Sequence, residues 1–164
     1  MARNATNKLL QQAKRLKSDE FYTQLCDIES ELRHYKPHFK NKTVFCNCDD
    51  PRLSNFFRYF AINFEELQLK AVLTSCYKEQ PNSIFAEESS ESGFFFEYTN
   101  SEIEKSQLNS PIVTPFNGSG DFRSNESIEL LKRSDTVVTN PPFSLFREYV
   151  EQLVKHNKKF LIIG

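Results

Sequence analysis

Asn140-Pro141-Pro142-Phe143 follows the apolar run Asp135-Thr136-Val137-Val138-Thr139, and these four residue types in this order make a cradle for a planar amine. The Asn140 carboxamide stands at a strand end, and the two prolines freeze the backbone that follows. Phe143 supplies a flat apolar face on which an aromatic base can stack. An exocyclic amine on an aromatic ring is a poor nucleophile, because its lone pair is delocalised into the ring. The Asn140 side-chain oxygen and the Pro141 carbonyl offer two acceptors for its two N–H groups. They favour a tetrahedral nitrogen whose lone pair points at an electrophile, a task of placement and electrostatics rather than of strong base. A base held in a duplex must first be flipped out to reach such a site. The alternative is a plain strand-to-helix turn with proline near the first helical position.

Two acidic pairs offer further chemistry. Asp121-Phe122 follows the glycine-bearing stretch Asn117-Gly118-Ser119-Gly120, where a carboxylate can accept an adenine amino group and a Phe can stack on the ring. Its alternative is an Asx-type turn capping the next helix. Asp49-Asp50 can accept ribose hydroxyls or an amino group, or can simply make a turn. Phe21-Tyr22-Thr23, taken alone, reads as core and turn. Cys26, Cys46, Cys48 and Cys76 show no CxxC spacing, and His34, His38 and His156 add no ligand pattern. Buried free thiols in a reducing cytosol are expected, and no metal. Cys46 and Cys48, two apart on an expected strand, should share a face.

The elements that must position these residues follow from periodicity and punctuation. Residues 6–17 read as a helix with Leu9, Leu10, Ala13 and Leu16 on one stripe. A second helix runs from Asp27, as N-cap, to about Tyr35, and Pro37 ends it. Thr43 to Cys48 is a buried strand stopped by Asp49-Asp50-Pro51. Ser54 caps a helix over about 55–67 that is apolar nearly all round. Ala71 to Tyr77 is the second strand, and residues 78–92 form a solvated, acidic loop. Phe94 to Tyr98 reads as part of an inserted hairpin with 103–108 as its partner. Ile112 to Pro115 is the third core strand, and Ser124 or Asn125 starts a helix through Leu131. The 135–139 strand, a helix from Ser144 to about Lys155, and a fifth strand at Phe160-Leu161-Ile162-Ile163 complete the pattern.

Strands alternating with helices imply an α/β fold, a parallel sheet of about five strands with helices on both faces. Ligands then bind at the carboxyl ends of the strands. Asp49 and Asp50, Asp121 and Asn140 all fall at such ends.

The bulk numbers exclude several classes. At 164 residues the chain is long enough for one domain with a real core. Its net charge of −1 excludes the global basic field of a self-sufficient nucleic-acid binder. The first twenty residues carry no apolar signal region, and no run is long enough to span a bilayer, so a cytoplasmic protein is expected.

Taken together, these segments resemble the S-adenosylmethionine-dependent adenine-N6 DNA methyltransferases, most closely the EcoRI type. Asn140-Pro141-Pro142-Phe143 matches the family's catalytic motif. Lys17-Ser18-Asp19-Glu20-Phe21-Tyr22-Thr23 resembles its N-terminal cofactor motif, and Gly120-Asp121-Phe122 resembles the motif whose acid and aromatic hold the cofactor adenine. Cys48-Asp49-Asp50-Pro51 falls where the family has its first-strand cofactor loop. The resemblance extends from Met1 to Gly164. It implies a Rossmann-like methyltransferase sheet and S-adenosyl-L-methionine packed against Phe21, Tyr22, Thr23, Asp49, Asp50, Asp121 and Phe122. A flipped adenine from double-stranded DNA would sit against Asn140, Pro141, Pro142 and Phe143.

Three departures accompany the match. Asp50-Pro51-Arg52-Leu53-Ser54-Asn55 lacks the glycines usual in the first-strand loop, and Ser75-Cys76-Tyr77 lacks the usual ribose-binding acid. The family's sheet has seven strands and a downstream target-recognition region. The chain therefore reads as an N-terminal portion: residues 1–40 as a helical segment with the cofactor motif, and 41–164 as a partial catalytic domain. A second polypeptide completing the fold is one expectation, and strand five otherwise keeps an unpaired edge. RNA or protein-glutamine methylation, or a non-catalytic remnant, are the rival readings.

Overall fold

The computed structural model describes residues 24–77 and 92–163. The anticipated helix over 6–17, the segment Phe21-Tyr22-Thr23 and residues 78–91 of the acidic loop lie outside the described residues.

Among the described residues six strands make one sheet: β1 (Thr43–Asn47), β2 (Ala71–Cys76), β3 (Phe94–Tyr98), β4 (Thr114–Pro115), β5 (Thr136–Thr139) and β6 (Lys159–Ile162). Their order is β4-β3-β2-β1-β5-β6. The run β2-β1-β5-β6 is a parallel ladder. β3 lies antiparallel to β2, and β4 antiparallel to β3. β4 therefore points the same way as the parallel strands, with β3 alone reversed between them.

Among the described residues five α-helices accompany the sheet: α1 (Leu25–Leu32), α2 (Asn55–Ile62), α3 (Glu102–Ser106), α4 (Asn125–Arg133) and α5 (Phe146–Lys155). Side chains alternate across each strand, and that alternation sorts two cores. Val44, Cys46, Val72 and Val138 pack with Ile28 and Leu32 of α1 and with Phe56, Phe57 and Phe60 of α2. Phe45, Leu73 and Val137 pack on the opposite face with Leu130 and Leu131 of α4 and Tyr149 and Leu153 of α5. β1, covered on both sides, is buried along its whole length, which explains its unbroken apolar character.

The serine caps form as the sequence implies. Ser54 Oγ accepts from the Phe57 amide at 3.1 Å, and Ser124 Oγ from the Ser127 amide at 3.2 Å. Each such cap contributes about 1 kcal/mol. α2 is shorter than the expected 55–67, because the Asn63 side chain donates back to the Tyr59 carbonyl at 2.8 Å and closes the last turn. α1 starts at Leu25 rather than at an Asp27 cap; Asp27 instead lies in its first turn, where a negative charge suits the helix dipole.

Two strand expectations are corrected. The 103–108 hairpin partner is the short helix α3, opened by a capping box in which Ser101 and Glu104 satisfy each other's amides. Ile112 to Pro115 is not a core strand: Ile112 is 70% exposed, and only Thr114–Pro115 pair, at the sheet edge. Proline has no N–H for a ladder, so an edge is where it fits. The cysteines are all free, but Cys26 is exposed, and Cys48 leaves the strand with φ 66 rather than sharing a face with Cys46. No helix among the described residues is long and apolar enough to cross a membrane.

Candidate active site

Strand order reverses at β1: β2 lies on one side of it and β5 on the other. A crevice opens at the carboxyl ends of strands that part this way. Here the β1–β5 register runs Val44↔Thr136 and Phe45↔Val137 and goes no further. The flanking pairs continue to the strand ends, at Asn47↔Ser75 and Thr139↔Ile162. Asp49 and Asp50 leave one lip of the gap, and Asn140 leaves the other.

On the first lip the chain turns without glycine. Cys48 takes the left-handed conformation, φ 66, at a cost of about 1–2 kcal/mol for a side-chain-bearing residue. Asn47 holds that turn: its buried side-chain oxygen accepts from the Cys48 amide at 2.9 Å and from Ser75 Oγ at 2.8 Å. The glycine missing from the first-strand loop is thus replaced by an asparagine-braced Cys48. Burial pushes the Cys48 thiol up, aided by the nearby Asp49 charge, so it is no nucleophile.

The next two residues differ sharply. Asp50 folds into its own turn: Oδ1 accepts from the Arg52 amide and Nε, both at 2.9 Å, and Oδ2 from Arg52 Nη2 at 2.6 Å. Asp49 has its amide on the Ser75 carbonyl at 3.0 Å and its carboxyl enclosed. Burial raises its pKa to about 7, against hydrogen bonds from Thr139 and Ser54 that lower it. A carboxyl so poised accepts a cation or a hydrogen-bond donor readily, because either would restore its charged form.

Asp121 stands in the loop after β4. Its Oδ1 accepts from the Arg123 amide and Nε, and its Oδ2 from Arg123 Nη2, all at 2.8–2.9 Å. Hydrogen bonds from the Arg123 side chain hold its pKa below the ordinary value. Arg123 Nη1 also reaches Glu148 of α5 at 2.8 Å, and Gln152 Nε2 donates to the Phe122 carbonyl at 2.8 Å. The loop is therefore clamped to the helix that follows Asn-Pro-Pro-Phe. Phe122, expected to stack on the cofactor adenine, is 5% exposed, meets Tyr149 edge-on at 5.2 Å, and lies under the Arg123 guanidinium.

On the second lip, Asn140 is half-buried, Pro141 buried and Pro142 exposed. Phe143 opens a short 3-10 turn, Phe143–Leu145, and is 72% exposed. Its ring is open for stacking. The structure thus brings Asp49 beside Thr139, the residue before Asn140, folds Asp50 onto Arg52 and packs Phe122 against Tyr149. Asn47 and Thr139 were missed; a polar residue closing an otherwise apolar strand was the available signal. Among the described residues no group of three or more His, Cys, Asp or Glu is arranged to hold a metal.

Comparison with known proteins adds a family. Residues 9–164 match the family model of the adenine-specific methyltransferase EcoRI. The chain is 60% identical over its full 164 residues to the Type II methyltransferase M.EcoRI of Escherichia coli, covering 50% of that protein. It is 41% identical over 152 residues to the Type II methyltransferase M.MgeORF184P of Mycoplasma genitalium, and 40% identical to M.MpnI of Mycoplasma pneumoniae, covering 42% of each. The chain spans about half the length of the curated relatives it matches. No solved structure matches.

Proposed function

The chain belongs to the family of the adenine-specific methyltransferase EcoRI, and from that premise we propose that it provides the donor site and catalytic motif for methylation of adenine N6 in duplex DNA. The observation that carries this reading is the gap between β1 and β5, with the Asp49 carboxyl leaving one lip and Asn140 the other. S-adenosylmethionine, when bound, supplies an electrophilic methyl group on a positively charged sulfur.

The residues at hand suit such a donor. The enclosed Asp49 carboxyl, with its pKa of about 7, regains its charge against a cationic amine. Asp121, kept ionised by Arg123, is an acceptor for the amino group of a nucleoside base. Phe21, Tyr22 and Thr23 remain part of the proposed donor site on the resemblance alone. On the acceptor side, Asn140 and the Pro141 carbonyl bind the two N–H groups of the target amine and orient its lone pair. Phe143 stacks on the flipped base. The methylated nitrogen then loses a proton, which needs no strong base once the ring amine has become cationic.

Tritiated S-adenosylmethionine, offered with duplex DNA to the intact gene product, tests the reading. Label is expected in adenine, and Asn140→Ala should lower the rate roughly a hundred- to a thousandfold. Wild-type activity in that variant would sink the assignment. Label in RNA or in protein glutamine, and none in DNA, would move the substrate class.

A further inference from the structure

The β1–β5 gap has a floor, and one side chain makes it. Backbone pairing between these strands stops at Phe45↔Val137, two residues short of Asn47 and Thr139. At that point Thr139 Oγ1 donates to the Asn47 carbonyl oxygen across the gap. The Thr139 hydroxyl oxygen also lies 3.3 Å from Asp49 Oδ2. Thr139 is fully buried, and Asn47 is 2% exposed, so no water replaces this contact cheaply.

We propose that Thr139 is a positioning residue: its hydroxyl sets the distance between the Asp49 lip, which holds the donor, and Asn140, which directly follows it and holds the target amine. The inference rests on the functional reading above. A β-branched residue suits the strand whether or not it carries a hydroxyl, so strand formation alone does not explain threonine. The hydroxyl extends the β1–β5 connection to the last residue of both strands, where the backbone no longer does so. On the far side the Thr139 carbonyl accepts from the Ile163 amide at 3.2 Å, so the residue is anchored toward β6 as well. Lateral movement of the Asn140 lip is thereby restrained in both directions along the sheet.

Methyl transfer needs the amine in line with the donor, and a displacement of about 1 Å costs as much as a hundredfold in rate. The test compares Thr139→Val, which keeps shape and drops the hydroxyl, with Thr139→Ser, which keeps the hydroxyl. Steady-state methylation of genomic DNA by the intact gene product reads kcat and the KM for S-adenosylmethionine separately. Thr139→Val is expected to lower kcat roughly ten- to a hundredfold with a much smaller change in KM, and Thr139→Ser to restore kcat. Circular dichroism melts identify a variant that is merely unfolded. If the valine variant does not fold, Thr139→Cys, a weak donor of similar size, should show the same loss of kcat. Wild-type kcat in folded Thr139→Val or Thr139→Cys overturns the role, as does an equal loss in Thr139→Ser. A wild-type protein that transfers no methyl group to DNA overturns the functional reading and this role together. An active wild type with an unimpaired valine variant overturns this role alone.

Discussion

Asp50-Pro51-Arg52 and Asp121-Phe122-Arg123 are the same device used at two places on the sheet. In each, the arginine two residues on returns its amide and its guanidinium fork to the aspartate that precedes it. In each, the guanidinium then lies over a phenylalanine, Phe94 at 4.7 Å and Phe122 at 5.2 Å from the ring centre. The loops differ in what lies beside the turn. After β1 a second carboxyl, Asp49, is left to two hydroxyls and burial, and its proton stays on to about pH 7. After β4 the Asp121 carboxyl is inside the turn, with its pKa lowered, and its arginine is tied outward to Glu148. An aspartate closed by its own arginine is fixed in place by it; an aspartate beside such a loop takes its charge state from what encloses it.

That contrast breaks first at Phe122. If the ring is core, Phe122→Ala should destabilise the fold by about 3–5 kcal/mol, read by denaturant unfolding. Phe122→Leu should fold and leave S-adenosylmethionine affinity nearly unchanged in calorimetry; a large loss of affinity there would restore the ring as a ligand surface.

Asp49 gives the next largest effect, and its sign is unusual for a carboxylate. Its folded pKa is about 7 against an ordinary 3.8, so between those values the folded state holds a proton that the unfolded state has lost. Stability should therefore fall as pH rises from about 4 through 7. Asp49→Asn should remove that loss, gaining about 1–2 kcal/mol at pH 8 and almost nothing at pH 4. Residual solvent contact at Asp49 keeps the gain below the full shift. Identical pH dependence in wild type and variant would contradict the enclosure of Asp49. Donor binding should move the other way, weakening in Asp49→Asn.

Asp121 should titrate oppositely. Its pKa is lowered, so its contribution is present above an ordinary aspartate pKa and is lost as pH falls through the lower, folded value. Arg123→Ala should raise the midpoint of acid denaturation, and an unmoved midpoint would show that the fork is not what holds this loop. Glu148→Gln is the smallest change. Its pair with Arg123 is half-exposed on both sides, and such pairs are worth about 0–1 kcal/mol.

Much of this was legible along the chain. Apolar runs marked β1, β2, β5 and β6, and the serines before α2 and α4 cap them as their spacing implies. Asn140-Pro141-Pro142-Phe143 lies just beyond a strand end, where the pattern put it. All of these are local signals, since a strand's alternation, a cap and a proline act within a few residues. The Ser101–Glu104 capping box is equally local, and it is what makes this segment a helix rather than a hairpin strand.

The remainder depended on partners far along the chain. No pattern within 94–98 says that this strand enters the main sheet reversed beside β2, because that is settled by what its edge meets. Phe122 is buried because Tyr149 of α5 closes on it. Asp49 keeps its proton only because folding buries it, and the opposing hydrogen bond comes from Thr139, a residue 90 positions away. Composition and spacing name the groups that can do chemistry. Burial and contact across the sheet decide which of them are charged, which are covered and which face the crevice.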